Sequence, residues 1–134
     1  MGASLYNFEI EQGSSFKMSL IYKDSAGAVI DLTDWCARLI WKTSANATQT
    51  FDSSNTNKTS YDFNIEGPLG KINLLFPAGT TNGFDFNTAK YDLELQSDED
   101  HYSQGGKYVI RLLYGTVTIQ KRYSKSSTAL ECNT

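Results

Sequence analysis

The chain has 134 residues and a formal net charge of −3 at pH 7. This length fits one domain whose core needs no metal or disulfide support. The mild charge gives no electrostatic case for nucleic acid, and no apolar stretch approaches the roughly 20 residues of a membrane span, so we expect neither partner.

Alternating apolar and polar residues dominate the first third of the chain. The alternation runs through residues 5–11 and 15–23, and a third such segment covers residues 35–42. Period-two alternation puts one row of side chains on a buried sheet face and the other row in water, so each segment is predicted to be a strand. The predicted inward row of the first strand is Tyr6, Phe8 and Ile10. That of the third is Trp35, Ala37, Leu39 and Trp41.

Residues 43–60 change in character, because Thr, Ser, Asn, Ala and Gln dominate and Phe51 is the only large apolar residue. We predict a long loop, an insertion or the frayed tip of a hairpin. Loops of this length in compact domains are often functional.

The second half of the chain returns to short strands. Residues 60–66 and 70–76 are predicted to form a hairpin, because Gly and Pro separate two alternating segments. Residues 77–89 are rich in Gly, Thr and Asn and leave room for one short helical turn. Further strands are predicted at 90–97 and 107–122, the second of which is the longest in the chain.

The last predicted strand has apolar residues in both phases. One phase contains Val117 and Ile119, and a β-bulge at Gly115 would bring both phases to the core. Without a bulge Arg111 points inward, which is costly, and the other phase forms an exposed stripe typical of an oligomer contact. The stripe in question is Tyr108, Ile110, Leu112 and Tyr114.

Residues that carry chemistry form no catalytic or metal-binding motif. The three adjacent carboxylates at 98–100 lack the spacing of a calcium loop, and His101 beside them has no nucleophile. Cys36 and Cys132 are too few for a disulfide framework or, with one His, for a four-ligand zinc site, so we predict two free thiols. We predict a protein that is not an enzyme and that has no metal and no cofactor.

Several motifs follow one another in a familiar order along residues 5–120. Asp31-Leu32-Thr33 comes after a hairpin signal, Tyr-Asp-Leu-Glu-Leu occupies residues 91–95, and Arg-Leu-Leu-Tyr-Gly-Thr-Val-Thr-Ile occupies residues 111–119. This order resembles small virion proteins of tailed bacteriophages and is similar to the immunoglobulin-like N-terminal domain of phage baseplate upper proteins. The resemblance implies an all-β, antiparallel, immunoglobulin-like β-sandwich of about seven to eight strands, with no catalytic residues.

Assembly is the function that this resemblance implies. We expect a single domain over residues 1–134, with an N-terminal arm at 1–5 and a C-terminal tail at 123–134, acting in the tail, baseplate or neck of a virion. The chain would be assembled in the host cytoplasm, with copies of itself and other virion proteins as partners. The candidate contact residues are Tyr108, Ile110, Leu112, Tyr114, Lys121, Arg122, Tyr123 and Lys125.

Two alternative functions belong to other positions in a phage. One is a carbohydrate- or host-surface-binding module of a fibre, which needs aromatic rings exposed on loops. The other is a capsid decoration protein built on the same sandwich. The candidate glycan contacts are Phe84, Phe86 and Tyr102.

Overall fold

Two β-sheets packed face to face make up the structure, a computed structural model that describes residues 3–53, 60–97 and 108–122. Side chains from both sheets share one apolar core, so the predicted all-β sandwich is confirmed. A 3₁₀ turn at Gly67–Leu69 and a short helix, α1 (Ala78–Asn82), connect strands. In chain order the strands are β1 (Ser4–Leu5), β2 (Phe8–Glu11), β3 (Phe16–Ile21), β4 (Cys36–Thr43), β5 (Thr48–Asp52), β6 (Asp62–Glu66), β7 (Lys71–Phe76), β8 (Thr88–Gln96) and β9 (Val109–Gln120).

The sheets are antiparallel except at one edge. The first has the order β9–β8–β4–β5, with β1 and β2 both pairing in parallel with the outer side of β9. The second has the order β3–β7–β6. In an immunoglobulin-type sandwich the corresponding strands are G, F, C and C′ in one sheet and B, E and D in the other. The immunoglobulin-like subclass stays a prediction, which this strand order supports.

An aromatic cluster in the core joins the two sheets. Trp41 of β4 is fully buried, and its ring centroid lies 4.8 Å from that of Phe51 and 5.2 Å from that of Phe84. Phe76 of β7 comes from the opposite sheet and lies 4.8 Å from Phe51. Edge-to-face pairs of this kind add to the free energy gained by burying the rings. The predicted core position of Trp41 is therefore confirmed, and Trp35 is also buried.

The Asp31-Leu32-Thr33 stretch anchors the chain between β3 and β4. Leu32 is fully buried, and its backbone N–H donates to the carbonyl of Gly67 at 2.8 Å. The Asp31 carboxylate accepts hydrogen bonds from the Thr33 hydroxyl and from the Thr33 N–H, and these bonds lower the pKa of Asp31. The motif therefore has a structural function, which is to hold the buried Leu32 side chain in place at a turn.

The described part of residues 43–60 forms a hairpin instead of a long loop. The Thr43 N–H donates to the Ala47 carbonyl at 2.9 Å, and Asn46 adopts the left-handed conformation with φ of 65°. The chain then continues as β5, so over residues 43–53 the hairpin alternative is confirmed and the long loop is wrong, while an insertion stays a prediction. The sequence did not distinguish these alternatives because β5 is an edge strand with one buried residue, Phe51, and shows no apolar alternation.

The N-terminal strand is interrupted between β1 and β2. The Tyr6 N–H donates to the Tyr114 carbonyl at 2.9 Å, and the Asn7 side-chain oxygen accepts from the Thr116 N–H at 2.9 Å. Because the Asn7 side chain replaces a backbone acceptor, the alternation breaks and the Tyr6 side chain is 48% exposed. The prediction that Tyr6 faces inward is therefore wrong, whereas Phe8 and Ile10 are buried as predicted.

Gly115 of β9 lets the N-terminal strand approach closely. A Cβ atom at this position would collide with the Tyr6 carbonyl oxygen and the Asn7 side-chain oxygen. The Tyr91 hydroxyl on β8, directly opposite Gly115, donates to the same Tyr6 carbonyl. The glycine is therefore required by the strand that lies against it.

Replacing Gly115 by Ala should destabilise the domain by about 1–3 kcal/mol, because the added methyl group pushes the N-terminal strand away from β9. Urea unfolding measures this loss. Gly79→Ala is the matched control: a Cβ there meets no atom within 4 Å, and alanine suits α1, so stability should stay constant or rise by about 0.5–1 kcal/mol. Equal unfolding midpoints for Gly115→Ala and the unmodified chain would contradict the packing described.

Candidate interaction surface

β9 contains a bulge, three residues before the position predicted at Gly115. Leu93 of β8 lies opposite Leu113 and Glu94 lies opposite Arg111, so Leu112 has no residue opposite. The extra residue changes the phase of the strand, which turns Arg111 outward and keeps apolar residues inward on both sides of it. The prediction that β9 contains a bulge is therefore confirmed, but the predicted position, Gly115, is wrong, because the bulge lies at Leu112. The inward residues are Ile110, Leu113, Val117 and Ile119.

The four-residue stripe predicted on β9 does not form one exposed surface. Tyr108, Ile110 and Leu112 are half-buried and pack against the core, with the Tyr108 ring 6.2 Å from that of Trp35. Tyr114 alone lies on the outer face, with 40% of its surface exposed. The exposed-stripe alternative is therefore wrong, and one of its members stays available for contact.

Tyr114 belongs to an apolar patch at the edge of the first sheet, which we call the edge patch and define as Leu5, Tyr6 and Tyr114. Leu5 pairs with Tyr114 in register and is 62% exposed. The guanidinium carbon of Arg111 lies 5.5 Å from the centre of the Tyr114 ring, a cation–π distance. Sequence reasoning placed Leu5 in a terminal arm and missed this patch, because only the parallel pairing with β9 brings Leu5 beside Tyr114.

A groove of about 310 Å³ lies next to the edge patch, where β1 and β9 of the first sheet face the end of β3 in the second. We call this side of the molecule the open margin. Half-buried side chains from β9 and from the β3 side form the apolar part of the groove, and two cations also line it. Its lining is Ser4, Leu20, Ile21, Tyr22, Lys23, Ile110, Arg111, Leu112 and Leu113.

The outer face of the first sheet carries charges that pair with each other. Arg38 and Glu94 form an ion pair at 2.9 Å, and Arg111 and Asp92 form another at 3.0 Å. The hydrogen bond from Arg38 to Glu94 raises the pKa of the guanidinium. Exposed pairs like these contribute about 0–1 kcal/mol each, so their main effect is to keep this face hydrated.

The outer face of the second sheet is also polar and internally bonded. The Asn73 side chain accepts a hydrogen bond from the Ser19 hydroxyl at 2.7 Å and donates to Glu66 at 2.9 Å and to Asn64 at 3.1 Å. Both broad faces of the sandwich thus have polar side chains with partners in the chain. At the open margin, by contrast, exposed apolar side chains lie beside a partly apolar groove.

The C-terminal end of β9 is tied to the segment after α1. Lys121 donates from Nζ to the Phe84 carbonyl at 3.3 Å, and the Arg122 N–H donates to the side-chain oxygen of Gln12 at 3.3 Å. Gln12 is buried and donates in turn to the Phe84 carbonyl at 3.1 Å. These two predicted contact residues therefore already have internal contacts. Two further predicted contacts lie outside the described residues: Tyr123 and Lys125.

The aromatic residues proposed as glycan contacts do not form an exposed platform. Phe84 is only 5% exposed and belongs to the core cluster, so it is wrong as a stacking surface for a sugar. Phe86 is half-buried, with its ring 5.3 Å from that of Trp41. Tyr102 lies outside the described residues. Packing against the core accounts for the presence of both phenylalanines, so neither requires a bound sugar to explain it.

Within residues 3–53, 60–97 and 108–122, no three His, Cys, Asp or Glu side chains are grouped so as to hold a metal ion. Over those same residues no helix is both long and apolar enough to cross a membrane. Cys36 is half-buried on β4. The carboxylates at 98–100, His101 and Cys132 lie outside the part that the structure describes.

No protein-family model and no curated protein matches this chain.

The buried Tyr91 hydroxyl should make stability depend on alkaline pH. Burial raises the pKa of Tyr91 to about 12, whereas a tyrosine in the unfolded chain titrates near 10. The folded chain therefore holds this proton more tightly, so the stabilisation is complete below about pH 10 and is lost between about pH 10 and pH 12. Urea unfolding over this range should show a smaller decline of stability for Tyr91→Phe than for the unmodified chain.

Below pH 10 the same Tyr91→Phe variant should be less stable by about 1 kcal/mol, because the Tyr6 carbonyl loses a donor. Tyr61→Phe is the control, since its hydroxyl bonds elsewhere, to Asp52. Parallel stability curves for the unmodified chain and Tyr91→Phe above pH 10 would rule out the coupling of this proton to folding.

Proposed function

We propose that this chain is a non-enzymatic structural subunit of a bacteriophage particle. It assembles in the host cytoplasm, through sheet edges and terminal segments, with copies of itself and other virion proteins in the tail, baseplate or neck. The observation that carries the proposal is the open margin, where exposed apolar side chains and an apolar groove lie along a sheet edge that no further strand covers among the described residues.

The distribution of polar groups supports assembly through the margin. The outer faces of both sheets carry side chains that are already hydrogen-bonded or ion-paired within the chain. Burying such faces costs desolvation without new partners, whereas burying the edge patch gains roughly 25 cal/mol for each Å² of apolar surface removed from water. An edge strand also offers backbone groups that a neighbouring strand can pair with.

The assignment to a bacteriophage particle is supported by the order of the sequence motifs. The resemblance of residues 5–120 to small virion proteins implies an all-β sandwich, and this chain has one. The Asp31-Leu32-Thr33 motif, which is part of the resemblance, acts as a structural anchor in this chain.

Replacing Leu5 and Tyr114 together by Ser should weaken self-association by about tenfold or more, because the edge patch loses most of its apolar area. Sedimentation velocity over a range of concentrations measures the effect. Both side chains are exposed, so the free energy of unfolding should change little.

The matched control is Val29→Ser with Leu69→Ser, which removes a similar exposed apolar area elsewhere, since these residues are 46% and 57% exposed. This control should associate like the unmodified chain. Equal weakening by both double variants, or a chain that stays monomeric at every concentration tested, would count against assembly through the edge patch.

Gold-labelled antibody against the chain tests the assignment to a particle. On purified phage particles that encode this chain, electron microscopy should show label at the tail, baseplate or neck. Label on the capsid surface would favour a decoration protein, and unlabelled particles beside free chain would exclude a virion subunit.

A further inference from the structure

The outer edge of β9 is covered over only part of its length. β1 pairs with residues 113–114 and β2 with residues 117–120. Residues 109–111 pair with β8 on one side, Leu112 is the bulged residue, and no strand in the described part of the chain pairs with residues 109–112 on the other side. Unpaired N–H and C=O groups along such an edge form a template for an added strand.

The groove at the open margin lies directly beside this uncovered edge. Ile110 and Leu112 line it from β9, and Leu20 and Tyr22 line it from the β3 side. Arg111 and Lys23 add positive charge to the lining. An extended segment that fits here has apolar side chains in one phase, which fill the groove, and a carboxylate in the other, which meets a cation.

Residues 128–133 of the sequence, Thr-Ala-Leu-Glu-Cys-Asn, have this pattern. Leu130 and Cys132 share one phase, and Glu131 is in the other. Glu131 is also the only acidic residue between 123 and 134. We propose that residues 128–133 of one copy add as a strand to the uncovered edge of β9 in a second copy, with Leu130 in the groove. This inference rests on the proposed self-assembly and names its contact.

Chain geometry requires the donor to be a second copy. Along β9, Ile110 lies twelve residues before Arg122, a distance of about 40 Å at 3.3 Å per residue. Leu130 lies eight residues after Arg122 and reaches at most about 28 Å from it when fully extended. Leu130 therefore cannot reach the position beside Ile110 of its own molecule.

A donor segment from one copy that binds the groove of another produces a head-to-tail contact. Such a contact uses two different surfaces, so each added copy leaves one donor and one groove unused. Copies joined in this way form a ring if the rotation between them closes and a filament if it does not.

Disulfide trapping with the native Cys132 tests the proposal in the full chain. Cys36→Ser is present throughout, and a single cysteine is introduced as Ser4→Cys or as Val109→Cys, at the two ends of the uncovered edge, so either strand direction is detected. Mild oxidation should give a ladder of dimers and larger species on non-reducing gels. The ladder should disappear when Cys132→Ser is added.

Thr48→Cys on β5, at the opposite edge of the first sheet, is the matched control and should give no ladder. Leu130→Asp in the otherwise unmodified chain should weaken self-association by about tenfold or more in sedimentation velocity. A crosslink within one molecule of the Val109→Cys variant, or a ladder no stronger than that of Thr48→Cys, would overturn the proposal.

The experiment also separates this inference from the proposed function. If the unmodified chain associates, and truncation after Arg122 or Leu130→Asp leaves that association unchanged, self-assembly stands and the tail contact is wrong. If the unmodified chain is monomeric at every concentration, self-assembly and the tail contact both fail.

Discussion

The parallel pairing of the N-terminal strand with β9 determines which surfaces of this sandwich are closed and which are open. The pairing depends on Gly115, where the backbone of Tyr6 lies too close for any side chain, and on the Tyr91 hydroxyl that satisfies the Tyr6 carbonyl. β1 starts at Ser4, opposite Leu113, and no other strand among the described residues covers residues 109–112 on that side. One close backbone contact thus fixes both the N-terminal edge and the start of the open margin.

The bulge at Leu112 complements this arrangement. Without it, Arg111 would point to the core, or the apolar residues on one side of it would point to water. With it, Arg111 lies outside beside Asp92 while Ile110 and Leu113 stay inside. The shift in phase occurs where the N-terminal strand ends, so no parallel pairing has to accommodate the extra residue.

The sequence allowed most strands and the core to be predicted, since alternation reports burial on one sheet face. Phe16, Met18 and Leu20 face the core for this reason. The predictions that failed share one physical cause: the local order of apolar and polar residues does not show which strands pair or in which register. β5 has one buried residue, the exposure of Tyr6 follows from a side-chain hydrogen bond to β9, and the position of the bulge depends on the register with β8.

The candidate surface was harder to predict because its residues come from distant parts of the chain. Leu5 and Tyr114 are neighbours only through strand pairing, and Leu20 meets Leu112 only where two sheets face each other. The sequence pattern predicted exposed apolar residues on the last strand, but it did not identify which residues of β9 stay exposed, and of the four predicted only Tyr114 does.

Arg111 connects the parts of the margin. Its guanidinium bonds Asp92 at 3.0 Å and lies 5.5 Å from the centre of the Tyr114 ring, and the residue is one of those that line the groove. A guanidinium has five N–H donors, so one carboxylate and one aromatic ring leave donors for a further carboxylate. A neighbour that covers this margin therefore buries a cation whose partners are already in place, which lowers the desolvation cost that an isolated charge at a protein contact would incur.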